Sequence, residues 1–299
     1  MTVYPEIRAR MFDTPLFLHE DKAGTIAAGL AERLFGGTVT VVAPNATVVA
    51  RGEPQMGRLG DKLRAYVSDD DAYMRVGAVA VIPIEGTLVH KGAWIGKSSG
   101  MTSYEGLFRQ VRAARADRRV RGVVFEIDSY GGEVAGAFDI ADEIHALSQE
   151  KPTMAILTDV AYSAGFLMAA PTRSVILPET GGAGSIGAVV MHADYSEALT
   201  AAGIKITVLT SGKQKADGNP YEPLSKDVAA RVTASLDQAR RLFADRVGTY
   251  RGSRFTADQA MATEAGIFRG EAAVDAGLAD AVARPSEAFA QFVDRIGRV

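Results

Sequence analysis

The stretch GVVFEIDSYGGEVAGAFDIADEIHAL, residues 122–147, decides the fold. Its first six residues, GVVFEI, are the short β-branched and aromatic run that is typical of a buried strand. Residues 134–147 then place Val134, Phe138, Ala141 and Ile144 on one stripe, which predicts an amphipathic helix. A glycine pair, Gly131 and Gly132, lies between the two patterns. The stretch therefore indicates a strand, a tight turn and a helix.

The same alternation of patterns extends to both sides of this stretch. Further strand-like runs lie at 78–84, 153–158, 174–178, 186–191 and 204–210. Helical periods lie at 104–116, from Ser163 onward, at 195–202 and at 226–250. Strands that alternate with helices predict an α/β fold with largely parallel pairing.

Composition narrows the class of protein. The chain has 299 residues, of which 47% are hydrophobic and 23% charged, with a formal net charge of -3. These values are ordinary for a globular protein, and they give no long-range attraction for nucleic acid or anionic lipid. The absence of cysteine excludes a disulfide framework and a thiol nucleophile. Residues 1–30 show no long apolar run, so we expect a cytoplasmic protein without a membrane anchor.

We expect three segments along the chain. Residues 1–74 differ from the regular pattern that follows and end in the acidic run at 68–71, which indicates an N-terminal extension and linker. Residues 75–285 hold the strand–helix alternation, and residues 286–299 form a C-terminal tail.

Two strand-to-helix junctions carry residues that suit acyl transfer. At the first, the amides of Gly131 and Gly132 lie beside the positive end of a helix, where they form either an oxyanion hole or only a tight turn. At the second, Ser163 opens the apolar stretch SAGFLMAA. It is either a nucleophile or a helix cap.

A serine nucleophile needs a base, and Lys215 in LTSGKQKADGNPYEP is one candidate. A lysine accepts a proton only where burial keeps its amine neutral, whereas this turn-rich segment is also typical of a surface lysine. Lys213 competes for the role, and His192 is the one histidine suited to a Ser-His arrangement. Ser185 in GGAGSIG offers a hydroxyl that could orient a neutral lysine amine. The histidines show no HExxH spacing, and we predict neither a metal nor a cofactor.

Four ordered segments resemble the S49 peptidases, the signal peptide peptidase A family, and in particular the phage and prophage branch related to capsid-assembly protease C. They are GVVFEIDSYGG, KPTMAILTDVAYSAGFLMAA, GGAGSIGAVV and TSGKQKADGNPYEPL, within a likeness over roughly residues 76–283. The resemblance implies that Ser163 is the nucleophile and that Lys215, at the family's SGxxK position, is the general base. It further implies that Ser185 holds the lysine and that Gly131 and Gly132 form the oxyanion hole.

The resemblance also implies a ClpP/crotonase-like α/β superhelix that assembles into rings or dome-shaped homo-oligomers. One residue departs from the family pattern, because Tyr130 stands where proline commonly precedes the glycine pair. Proline would stiffen the turn, so we expect Tyr130 to loosen the hole or reshape a neighbouring substrate pocket.

The function that we predict is that of a Ser-Lys endopeptidase with polypeptide substrates. The start MFDTPLFLHEDKAG looks like that of phage head proteases, which favours processing of scaffold or portal proteins in the host cytoplasm or the assembling prohead. Alternatives are a peptidase that degrades signal or membrane peptides and an oligomeric scaffold without catalysis. A crotonase-like hydratase would need an acidic catalytic group and a coenzyme A pocket, and the sequence identifies neither.

Overall fold

The structure is a computed structural model that describes residues 16–18, 72–92, 97–98 and 100–298. Its described strands form one eleven-stranded sheet. The strands are β1 (Leu16–Leu18), β2 (Met74–Val76), β3 (Val79–Val89), β4 (Lys97–Ser98), β5 (Met101–Ser103), β6 (Gly122–Glu133), β7 (Thr153–Tyr162), β8 (Ser174–Leu177), β9 (Gly182–Gly184), β10 (Ile267–Arg269) and β11 (Ala281–Val282). The helices are α1 (Tyr104–Ala116), α2 (Ala137–Glu150), α3 (Ala164–Ala169), α4 (Ser196–Ala201), α5 (Lys226–Arg251), α6 (Ala257–Ala262), α7 (Glu271–Asp275) and α8 (Pro285–Gly297).

The centre of the sheet is parallel. Strand β6 pairs in parallel with β3 on one edge and with β7 on the other, and β7 continues in parallel to β8 and β9. The three central strands are near-continuous buried runs, because helices cover both faces of the sheet. The α/β architecture with largely parallel pairing that the sequence predicts is confirmed.

One face of the sheet carries the larger core. Helix α1 begins after Ser103, whose side chain accepts a hydrogen bond from the Gly106 amide, and it buries Leu107 and Val111. Helix α2 buries Ile140 and Ile144 against the same core. These two helices form the connections on either side of β6, and they fix where that strand ends.

The opposite face is covered by α8, which holds most of residues 286–299. Its residues Ala288, Phe292 and Ile296 are buried and pack with Val124 and Ile156 of the sheet. The division into an extension, a domain and a tail stays a prediction. Of the extension over 1–74, only residues 16–18 and 72–74 lie within the described part of the chain.

A buried ion pair joins the end of α5 to the sheet. The Arg251 side chain is 0% exposed, and its guanidinium donates to the Asp280 carboxylate at 2.9 Å. Asp280 also accepts the amide of Val175 on β8 at 2.7 Å. Burial lowers the pKa of Arg251. Burial acts to raise the pKa of Asp280, but its hydrogen bonds and the charge of Arg251 outweigh burial, and the pKa is lowered.

Two sequence expectations about strands are wrong. Residues 204–210 form no strand and are exposed throughout, and in residues 186–191 the only β pairing is a single bridge at Val189. The alternating pattern of 204–210 needs a sheet edge as partner, and none within the described ranges pairs with it. In addition, β6 continues through the glycine pair to Glu133, so that α2 begins only at Ala137 rather than at Val134.

Candidate active site

Ser163 occupies a strained turn between β7 and α3. Its φ of 54° and ψ of −122° are unusual for a residue with a side chain. The Ser163 amide donates to Gly184 O at 2.8 Å, and its carbonyl accepts from the Leu167 amide at 3.0 Å, so the backbone is held from both sides. The side chain is buried, and Oγ has no hydrogen-bond partner among the described residues. A serine on a strained strand-to-helix turn is the backbone arrangement of the nucleophile in α/β-hydrolases.

The glycine pair lies at the end of β6, close to this turn. A Cβ on Gly165 would lie 2.8 Å from Ser129 O, which shows that the Ser163 turn packs directly on β6. Gly131 has a φ of 111°, a conformation that favours glycine. A Cβ on Gly132 would lie 1.9 Å from Leu88 O of the neighbouring strand β3. Glycine is therefore required at both positions, for different reasons.

Ser129 is a residue that sequence reasoning missed. Its hydroxyl donates to Gly86 O at 2.7 Å and accepts the Gly131 amide at 3.1 Å. One of the two predicted oxyanion donors is thus engaged within the protein. A serine two positions before a glycine pair, in DSYGG, was the available sequence signal, since serine side chains often bond the amide two residues on.

Ser185 lies beside Ser163 because the strands before them, β9 and β7, pair in parallel. Tyr162, the last residue of β7, pairs with Gly184, the last residue of β9, so the next residue on each strand is a serine. Ser185 is 7% exposed, has a φ of 56°, and donates its amide to Gly266 O at 2.9 Å. The structure brings these two predicted residues together.

Lys215 is not brought to the serine in the single chain. Its side chain is exposed, and its amide donates to Gly212 O at 3.1 Å in a turn. Lys213 is exposed as well. The preceding segment presents apolar side chains to solvent, with Ile204 50% and Leu209 90% exposed. The predicted dyad is therefore not assembled in the part of one chain that the structure describes.

Tyr130 and His192 also have defined surroundings. The Tyr130 ring lies edge-on to that of Tyr162, with centroids 5.6 Å apart and planes at 77°. Tyr130 thus contacts the residue before Ser163. His192 Nε2 is buried without a hydrogen-bond partner in the described ranges, and no bond joins it to Ser163. The nearby Asp194 has a lowered pKa, mainly because Ser196 donates hydrogen bonds to it and less because of the charge of His192.

A cavity of about 360 Å³ opens beyond the end of β6. His90 and Tyr104 line it, together with Phe108, Arg109 and Arg112 of α1. The Tyr104 hydroxyl donates to Glu133 O at 2.8 Å, and the His90 amide donates to the Glu133 carboxylate at 2.7 Å. Burial, and secondly the charge of Glu133, raises the pKa of Tyr104, so its hydroxyl remains a donor. The last residue of β6 thus forms hydrogen bonds to both of these residues in the cavity wall.

Two further features are absent from the described ranges, namely a cluster of metal ligands and a membrane-spanning helix. No group of three or more histidine or acidic side chains there could hold a metal ion. None of the helices described is long and apolar enough to span a bilayer.

Comparisons with known proteins give the family. The model of peptidase family S49 matches residues 145–295, about half of the chain. The chain is 37% identical over 286 residues to the head-tail preconnector protein GP5 of Enterobacteria phage P21, an alignment that covers 95% of this chain and 56% of that protein. It is 33% identical over 298 residues to capsid assembly protease C of Escherichia phage lambda, covering 98% of this chain and 66% of that protein.

The chain thus spans 56% and 66% of the length of these two curated relatives. Among solved structures it is similar to ClpP1 from Listeria monocytogenes, with 12% identity, a TM-score of 0.41, and coverage of 68% of this chain and 90% of that one. Because the family model matches half of this chain, the chain belongs to peptidase family S49.

Proposed function

We propose that this protein is a serine endopeptidase in which Ser163 is the nucleophile and Lys215 the general base. The observation that carries the proposal is the state of Ser163, a buried hydroxyl without a hydrogen-bond partner in the described chain, on a strained turn beside a glycine pair. A buried polar atom without a partner is costly and calls for an explanation, and a catalytic role is one that fits a serine on a strained turn. Membership of a peptidase family supports the same reading.

The lysine reaches the serine only when the exposed segment before it is ordered by assembly. Ile204, Ile206, Val208 and Leu209 are each at least 44% exposed, which is unfavourable for a chain that remains single. We propose that a homo-oligomer covers this segment and carries Lys215 to a Ser163 site. Burial there keeps the amine neutral, as a general base requires.

The chemistry is that of an acyl transfer in two halves. Lys215 takes the Ser163 proton while Oγ attacks the peptide carbonyl, and the protonated lysine then gives that proton to the departing amine. Water attacks the resulting ester, Lys215 takes the water proton, and the acid leaves as the Ser163 hydroxyl is restored. Neither half consumes a cofactor.

The oxyanion is assigned to the amides of Gly131 and Gly132. In the free protein the Gly131 amide donates to Ser129 Oγ, so this bond must be exchanged for one to the substrate. Glycine at this position makes the required rotation of the peptide unit inexpensive. Each such donor is worth roughly 3–4 kcal/mol of transition-state stabilisation. Ser185 is assigned the role of orienting the lysine amine.

The physiological substrates proposed are structural proteins of an assembling phage head, such as scaffold or portal proteins. The proposal is supported by similarity to a capsid assembly protease and to a head-tail preconnector protein. The alternative of an assembly scaffold without catalysis is favoured by one observation, the exposed position of Lys215 in the single chain.

Replacing Lys215 with alanine tests the proposal against that alternative. We expect Lys215→Ala to lower the rate of peptide hydrolysis at least about 100-fold, because the serine loses its base. The matched control is Lys213→Ala, another exposed lysine two residues away, which should retain the rate. Thermal melting of both variants checks that each is folded.

Full turnover by Lys215→Ala would refute the dyad, and absence of hydrolysis by the unaltered protein would favour the scaffold. Co-expression with candidate scaffold and portal proteins, followed by mass spectrometry, identifies the cleaved partner.

A further inference from the structure

The N-terminal strand β1 lies on the strand that carries the glycine pair. Its residues Leu16–Leu18 pair antiparallel with residues 131–133 of β6, with Phe17 opposite Gly132 and Leu18 opposite Gly131. On its other edge this part of β6 already pairs with β3, through Leu88 and Gly132. Because a strand has only two edges for hydrogen bonding, β1 must lie on the edge that faces β7.

That edge is open because β7 ends beside it. The pairing of β7 with β6 reaches Ser129 opposite Ala161 and no further. The chain then turns at Ser163, whose amide bonds to Gly184 on the far side of β7. From residue 131 onward, the backbone groups on this edge of β6 are therefore not paired with β7, and they lie next to the serine turn. In this structure they pair with β1 instead.

We propose that this edge of β6 is the peptide-binding edge of the enzyme and that Leu16–Leu18 are its internal ligand. The ligand class is an extended, apolar peptide that adds one antiparallel strand to the sheet. As long as the segment is in place, other polypeptides are kept from the serine. The inference rests on the proposed peptidase function, since it takes the edge beside Ser163 as the substrate site.

The register gives the bound segment a direction. Leu18 pairs with Gly131 and Leu16 with Glu133, so the segment runs from the cavity end of β6 toward the Ser163 turn. In a substrate bound in this register, the residues that pair with 131–133 lie N-terminal to the scissile peptide bond, and that bond lies at the serine. The internal segment thus has the orientation of the part of a substrate that forms the acyl-enzyme.

Residues 16–18 belong to the same chain as β6, so they compete well with an outside peptide for this edge although the segment is short. Its binding requires no second molecule to lose translational freedom, and its effective concentration is high. When the closed form holds nine tenths of the molecules, the apparent affinity for an outside peptide falls about tenfold. Opening the segment should restore that factor.

The experiment measures peptide binding in the full chain, with Ser163→Ala as the parent so that nothing is cleaved. The opened variant adds Leu16→Pro and Phe17→Pro. Successive amides in a strand point to opposite sides, so one of the two prolines removes an amide from the ladder. The matched control adds Leu16→Val and Phe17→Val at the same two positions, which keep both the amides and the strand propensity.

The probe is the fluorescein-labelled peptide DTPLFLHEDK, which copies residues 13–22, and the readout is fluorescence anisotropy. We expect the opened variant to bind the probe about tenfold more tightly than the parent, and the valine control to bind it like the parent. Equal affinity in the parent and the opened variant overturns the inference. Failure of every form to bind the probe overturns it as well.

Hydrogen exchange provides a readout without any proline. In the parent, amides of residues 16–18 should be protected, and saturating unlabelled DTPLFLHEDK should remove that protection. Exchange at 16–18 that is fast from the start, or unchanged by the peptide, contradicts the inference. Melting curves of the opened variant check that the sheet is intact.

These readouts separate the inference from the proposed chemistry. Binding and exchange need no turnover, so a tenfold gain in binding supports the inference even where the Lys215→Ala test fails. Conversely, the opened segment can be combined with an intact Ser163 in a hydrolysis assay. Equal hydrolysis with and without the prolines, by an active enzyme, overturns the inference and leaves the peptidase assignment standing.

Discussion

Replacing Gly132 with alanine should damage stability and catalysis together. The added Cβ would lie 1.9 Å from Leu88 O and 2.5 Å from the carbonyl carbon of the same residue. Observed Cβ contacts stay above 3.0 Å, so β3 and β6 must separate by about 1 Å at this point. The obstacle is backbone of a paired strand, which cannot rotate away as a side chain can.

The size of both effects follows from that displacement. Overpacking of this kind costs about 1–3 kcal/mol, which lowers the melting temperature of a chain of this length by about 2–5 °C. The same shift moves the proposed oxyanion amides relative to Ser163. A misplacement of about 1 Å can reduce a catalytic rate about 100-fold.

Circular dichroism melting and initial rates of peptide hydrolysis measure the two effects on one preparation. Gly297→Ala is the matched control, because nothing lies within 4 Å of its added Cβ. The control should melt and react like the parent. A Gly132→Ala variant with an unchanged melting temperature and full rate would refute the steric argument and the placement of the glycine pair at the site.

Two further substitutions test one ion pair in the core and one ring contact beside the site. Asp280→Asn should cost about 3–5 kcal/mol in chemical denaturation, because it leaves the fully buried Arg251 without its carboxylate. The pKa of Asp280 is lowered in the folded protein. Its carboxylate therefore contributes fully to the free energy of unfolding above the unfolded pKa of about 3.9, and this contribution is lost as pH falls through the lower folded pKa. The stability of Asp280→Asn should consequently vary less with pH in that acid range. Tyr130→Ala should lose about 0.5–1.5 kcal/mol through its edge contact with Tyr162, whereas Tyr130→Phe should keep most of that stability. Equal melting of the two Tyr130 variants, or neutrality of Asp280→Asn, would contradict these readings.

The central strands and the main helices could be predicted because each has a local cause. Runs such as GVVFEI are apolar except for the buried Glu126, since both faces of the sheet are covered. Helix α1 has Ser103 as its cap and one apolar stripe. The predicted helix at 104–116 matches α1 to the residue. In these elements the hydrophobic period and the tertiary packing agree.

The end of β6 could not be predicted from local rules. Glycine usually breaks a strand, so the pair was expected in a turn, whereas in the fold it lets Leu88 O approach the backbone at Gly132. The pairing of residues 16–18 with this strand joins segments more than a hundred positions apart, and local patterns carry no such information.

The candidate site also depends on pairing between distant segments. The serines at 163 and 185 are neighbours because β7 pairs in parallel with β9. Lys215 is exposed because the segment before it, residues 204–210, pairs with no strand in the described chain. Its role, like the roles of the serines and glycines, stays a prediction.

The distance from Ser163 Oγ to Lys215 Nζ in the assembled, peptide-bound protein tests the central claim most directly. An experimental structure of the oligomer, with the peptide held by the intact serine or a trapping group, measures it. We expect hydrogen-bond reach, about 2.6–3.2 Å, between the oxygen and a lysine amine of the same or a neighbouring subunit. A lysine amine that still faces solvent while peptide fills the β6 edge would contradict the claim.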